Sequence, residues 1–115
     1  MAKEFYRIVR GPDPTIDDFR SARDDGMALV DPRYRREWAE GVSVYDNLDY
    51  ALQRARRNQT GLGRFVATIV IPDDGSIEAA KTMRNRHHFT VYAGPEQILA
   101  LVRGRPVRAE GRSED

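Results

Sequence analysis

Hydrophobic and polar positions along this chain change period several times, and each change marks an element. Phe5-Tyr6-Arg7-Ile8-Val9 alternates and predicts a strand, which Gly11-Pro12-Asp13-Pro14 ends. Thr15 with Asp18 three residues later resembles a capping box and predicts a helix to about Asp25, with Ile16 and Phe19 facing the core and Gly26 closing it. Asp31-Pro32 predicts a short helical turn through Trp38, because proline suits a first turn. Gly41 releases a second strand, Val42 to Tyr45. Asp46 or Asn47 then caps a helix whose Leu48, Ala51, Leu52 and Ala55 fall on one face at i, i+3, i+4 and i+7.

Arg64 to Ile71 is the strongest strand pattern. It is apolar nearly throughout, which predicts a central strand covered on both faces. Gly61-Leu62-Gly63 before it reads as a loop, and Pro72-Asp73-Asp74-Gly75 after it as a turn. Ser76 to Lys81 fits either a short strand or a helical turn. His88 to Tyr92 alternates as a strand, and Gly94-Pro95-Glu96 opens a short helix that buries Ile98, Leu99 and Leu101. Leu101 to Arg108 contains a last strand, interrupted by Gly104 and placed at an edge by Pro106. The pattern predicts an α+β fold: a single compact domain over residues 1–109, with a mixed or antiparallel sheet of about five or six strands and two or three helices. Residues 110–115 are expected to be a disordered polar tail.

A chain of 115 residues suits one core. The absence of cysteine excludes disulfides and thiolate zinc sites, and no spacing among the two histidines and the acids suggests a metal. Met1 to Phe5 leads straight into a strand without an apolar signal region, and no apolar run is long enough to span a bilayer, so a cytoplasmic protein is expected. A net charge of +1 argues against a dedicated nucleic-acid binder. The basic residues are nevertheless 17 arginines and only 2 lysines, clustered at Arg33, Arg35 and Arg36, at Arg54, Arg56 and Arg57, and at Arg103, Arg105 and Arg108. Arginine forks suit phosphates and planar anions. Arginine-rich, alanine-rich composition also follows from GC-rich coding, with the clusters as solvated faces.

Reactive side chains gather on three predicted strands: Tyr6 and Arg7, then Ser43 and Tyr45, then Thr82, His87, His88, Thr90 and Tyr92 around the fifth. A strand arginine among apolar residues is costly to bury without an acid or a ligand phosphate beside it; the other reading of Arg7 is a half-exposed sheet position. Ser43 and Tyr45 share a face, so one can hydrogen-bond a ribose while the other stacks on a planar ring, although tyrosine is also an ordinary packing residue. His87 and His88 point to opposite faces, so at most one belongs to a site, and Thr90 lies on the face of His88. No GxGxxG, Walker loop or GxSxG is present, and a triad assembled from Ser43, His88 and Asp46 has no nucleophile elbow.

The opening Phe-Tyr-Arg-Ile strand, followed by Trp38 and then Gly41-Val42-Ser43-Val44-Tyr45 leading into an alanine-containing helix, resembles the ADP-ribosyltransferase fold. The nearest likeness is to the RES-domain, NAD-degrading toxins of bacterial toxin–antitoxin pairs, and it covers roughly Phe5 to Arg57. The chain also resembles a family of small bacterial proteins with Gly-x-Ser-Val, Leu-Gly-x-(Ile/Val)-Ala and His-x-Thr-(Leu/Val)-(Trp/Tyr) patterns. The resemblance implies NAD as substrate, bound between the first and second strands. It assigns Arg7 to the phosphates or ribose of NAD, and Ser43 and Tyr45 to the nicotinamide pocket with Tyr45 on the ring. The late-strand position, usually a glutamate, is occupied here by His88, Thr90 and Tyr92, and the nearest acids in sequence are Glu78 and Glu96. Tyr45 and His88 are then the catalytic candidates, and Arg7, Ser43, Tyr45 and Thr90 the NAD-binding ones. A toxin-type activity further implies a protein antitoxin or a macromolecular acceptor. The competing expectations are a non-enzymatic interaction module, such as an immunity or accessory protein, and an RNA-binding or RNA-modifying domain that uses the arginine clusters.

Overall fold

A computed structural model describes residues 2–57, 64–82 and 85–109. The Gly61-Leu62-Gly63 loop and the tail 110–115 lie outside the described residues. Six strands, β1 (Lys3–Val9), β2 (Val42–Tyr45), β3 (Phe65–Ile71), β4 (Glu78–Lys81), β5 (His88–Tyr92) and β6 (Val102–Arg108), form one sheet in the order β4-β5-β2-β1-β3-β6. Every pairing in it is antiparallel. Three α-helices complete the described fold, α1 (Arg35–Glu40), α2 (Leu48–Arg57) and α3 (Pro95–Leu99), with short 3-10 turns at Ile16–Phe19 and Pro32–Tyr34. The architecture is a compact single-domain α+β fold. No described helix is long and apolar enough to cross a membrane.

Strand alternation divides the apolar residues between the two faces of the sheet. Phe5, Val9, Val42, Val44, Ala67, Ile69, Ile71 and Val91 form the main core with Phe19 and with Ile98 of α3. Each of the large side chains here is worth about 1.5–3 kcal/mol of burial. On the opposite face Ile8, Tyr45 and Val66 pack against Ala51 and Ala55 of α2 and against Ala109. The i, i+4 alanines let α2 lie close to the strands. Asn47 starts this helix, its Oδ1 accepting the amide of Tyr50 at 2.9 Å.

Two expectations need correction. The capping box at Thr15 is present, but the helix stops at Phe19 instead of reaching Asp25. The Asp18 carbonyl, which a continuing α-helix would offer to the Ala22 amide, instead accepts Arg7 Nε at 3.0 Å, and Arg20 turns extended. The strand β3 is second from the β6 edge, while β1 and β2 hold the centre. Its apolar run reflects shielding by β1, β6, α2 and the main core, and such shielding does not require a central place in the sheet. The ambiguous stretch before Lys81 resolves as strand β4. Pro106 does sit on an edge strand, where a missing amide costs no ladder bond, and Gly104 takes a φ of 69° beside a register shift against β3.

Candidate functional site

The sheet is forked at its centre. Strand β1 pairs with β3 along its whole length, Lys3 opposite Ile71 to Val9 opposite Phe65, but it meets β2 only where Tyr6 lies opposite Tyr45. Beyond that point the two strands diverge, and the Arg7 side chain fills the gap. Its Nε donates to the Asp18 carbonyl, and one terminal nitrogen donates to the Ser43 carbonyl at 2.8 Å. The other terminal nitrogen has no acceptor among the described residues. Nor does any described carboxylate form an ion pair with this buried guanidinium. Burial lowers its pKa, opposed by the field of Tyr45, Asp25 and Asp18. Arginine starts so high that it stays charged.

The pleat corrects the simplest form of the expectation. Arg7 lies opposite Ala67, on the main-core face, whereas Ser43 and Tyr45 belong to the α2 face. The fork lets Arg7 reach through the sheet. It joins Ser43, Tyr45 and His88 in lining one cavity of about 500 Å³, within the range of small-molecule sites. Tyr34, Glu37 and Trp38 of the α1 region wall one side, Arg54 of α2 another, and the irregular segment Met27 to Asp31 a third. Trp38 Nε1 ties that segment to α1 by donating to the Met27 carbonyl at 2.6 Å.

His88 is buried, and its Nδ1 lies 2.9 Å from Thr82 Oγ1, which in turn lies 2.6 Å from Thr90 Oγ1. Burial pulls the pKa of His88 below the usual histidine value. A backbone hydrogen bond with Thr82 opposes this, while Arg54, Lys81 and Arg7 add to it, so the ring is neutral at pH 7. Tyr45 packs against its edge, with ring centroids 5.9 Å apart, and against Tyr50 at 5.3 Å. Thr90 is fully buried and does not line the cavity; it supports His88 through Thr82. Its methyl group also lies against Gly41, where an added Cβ would strike it and approach the Glu37 carbonyl to 2.9 Å. His87 turns away from the cavity, placing Nδ1 2.9 Å from Asp46 and its ring 4.9 Å from that of Tyr50. Among the described residues no group of histidines and acids is arranged to hold a metal.

Neither Glu78 nor Glu96 lines the cavity. Glu78 pairs with Arg36, which stacks on the Tyr92 ring at 3.8 Å. The cavity acids are instead Asp25, Asp31 and Glu37. Glu37 accepts the Tyr92 hydroxyl at 2.8 Å, and burial followed by this bond pushes the tyrosine up to about 12. Asp31 is engaged by Arg33, while Asp25 has no ion-pair partner among the described residues. Tyr34 and Glu37 were not among the sequence candidates, although their i, i+3, i+4 spacing with Trp38 puts the three on one helical face. Compared with protein-family models, curated proteins and solved structures, the chain matches none.

Polar groups around the cavity without a hydrogen bond or ion pair to a described residue include the second Arg7 terminal nitrogen, Ser43 Oγ, Tyr45 Oη and His88 Nε2, beside the Arg54 guanidinium and the Asp25 carboxylate. They combine two cations, two hydroxyls, a neutral imidazole and one carboxylate with the aromatic side chains of Tyr34, Trp38 and Tyr45. That set suits an anionic, polyhydroxylated ligand carrying a planar ring.

Proposed function

We propose that the protein is an NAD-binding, ADP-ribosyltransferase-like protein that cleaves the nicotinamide–ribose bond. ADP-ribose would pass to water or to a macromolecular acceptor, in a toxin-type activity restrained by a partner protein. The observation that carries this reading is the convergence of Arg7, Ser43, Tyr45 and His88, each with an unpartnered polar atom, on one cavity at the fork between β1 and β2. Arg7, with Arg54 at the rim, binds the diphosphate. Tyr45 holds the nicotinamide ring, while Ser43 Oγ and His88 Nε2 orient the ribose, with Thr90 acting through Thr82 to position His88. When the C1′–N bond breaks, its electron pair leaves with neutral nicotinamide and positive charge develops on the ribosyl carbon. Asp25 and Glu37 supply negative charge on the cavity wall toward that centre. Water then adds to C1′ and loses a proton.

The test is isothermal titration with NAD together with nicotinamide release by the purified protein. Wild type is expected to bind and turn over NAD. Ser43→Ala, which removes a ribose-orienting hydroxyl with no described protein partner, is expected to lower turnover about tenfold or more with the unfolding midpoint unchanged. Arg7→Lys is expected to weaken NAD binding, because the compact ammonium of lysine lacks the planar fork that spans the Asp18 and Ser43 carbonyls and presents a further donor to the cavity. Absence of both NAD binding and turnover in the wild type defeats the proposal.

A further inference from the structure

Arg7 lines the cavity, and Arg10, Arg35 and Arg86 form no ion pair among the described residues but lie outside residues 50–72 and 97–109; the other described arginines divide into two populations. Arg20, Arg23, Arg33 and Arg36 each form an ion pair with an acid. Arg54, Arg56 and Arg57 at the end of α2, Arg64 before β3, and Arg103, Arg105 and Arg108 on β6 have none among the described residues, and all are exposed. Residues 50–72 and 97–109 contain no aspartate or glutamate at all. The fold brings these two acid-free segments together. Ala55, Val66 and Ala109 share one buried cluster, the Ala109 amide donates to the Arg64 carbonyl at 2.6 Å, and Arg108 lies opposite Phe65. A coding bias raises arginine everywhere; it does not clear acids from two distant segments that become neighbours.

We infer that this arginine surface binds the phosphodiester backbone of single-stranded RNA. Guanidinium forks match phosphate oxygens, and several unpaired ones in a row make a backbone track. The track also bends around the sheet edge. Arg103 lies opposite Thr68, on the α2 face, whereas Arg108 lies opposite Phe65, on the main-core face. A flexible single strand follows that corner, and a stiff duplex does not. Arg54 belongs both to this surface and to the cavity rim, so a bound strand passes the cavity mouth, where Tyr34 and Trp38 offer faces to unstacked bases. The small net charge of the whole chain is no obstacle, because the acids sit elsewhere.

The experiment is fluorescence anisotropy with a labelled oligouridylate of about 20 nucleotides, from about 50 to about 200 mM salt. Neutralising about four phosphates gives a log–log salt slope near −3 and about a 50-fold loss of affinity over that range. The triple variant Arg56→Gln, Arg57→Gln, Arg105→Gln is expected to bind about tenfold or more weakly and to flatten the slope by about 2, with its unfolding midpoint unchanged. The inference is overturned if the wild type does not bind, if the variant binds as tightly as the wild type, or if duplex RNA of equal length binds equally well. The variant leaves Arg7, Ser43, Tyr45 and His88 intact, so RNA binding and NAD cleavage can fail independently.

Discussion

His88 shows how a single side chain is set for a role by its surroundings. It is buried, its Nδ1 is engaged by Thr82, and the nearby cations Arg54, Lys81 and Arg7 all oppose a second positive charge. With its folded pKa below the unfolded value, protonation favours the unfolded chain. Stability is therefore full above about pH 6.5, falls as the pH drops through the unfolded histidine pKa, and levels off below the folded one. Urea unfolding between about pH 7.5 and 5 is expected to show this loss in the wild type and a shallower one in His88→Gln. Parallel pH profiles would refute that assignment. At this scale the sequence made Arg7, Ser43, Tyr45 and His88 visible, because hydroxyl, aromatic and cationic side chains stand out on apolar strands. Thr90 stood out for the same reason, but strand parity alone does not reveal depth beneath the sheet surface.

Among the elements, the junction of α1 and β2 does most to shape the cavity. Gly41 ends α1 with an ordinary extended φ of −101°, so backbone conformation does not demand glycine there. Space does: a methyl group would meet the Thr90 side chain and the Glu37 carbonyl. Gly41→Ala is accordingly expected to destabilise the protein by about 1–3 kcal/mol in denaturant titration, and Thr90→Ser beside it should recover part of the loss. A neutral Gly41→Ala would show that α1 can shift away at no cost. The elements themselves were largely legible from period and punctuation, as Asn47, Pro95 and Pro106 illustrate. The lost turns after Phe19 were not, because the competitor for the Asp18 carbonyl is Arg7, eleven residues upstream. Local propensity has no access to such a contact.

For the whole molecule, the fork divides the backbone ladder of the sheet into two three-stranded halves, β4-β5-β2 and β1-β3-β6. Their strands share one residue pair and the Arg7–Ser43 bond, while the main core, with Phe5 against Phe89, joins their faces. Native-state hydrogen exchange is expected to register this division. Amides that β1 and β2 turn toward each other should exchange about tenfold or more faster than those bonding β1 to β3, and equal protection would mean that the seam is continuous. No sequence pattern announced the fork, since β1 and β2 each read as regular strands and their divergence depends on one long side chain lodged between them. The seam is thus held by side chains of the two faces more than by the backbone ladder. A ligand in the cavity would lie against Arg7 and Ile8 of β1 and Ser43 and Tyr45 of β2, and so against both strands of the seam.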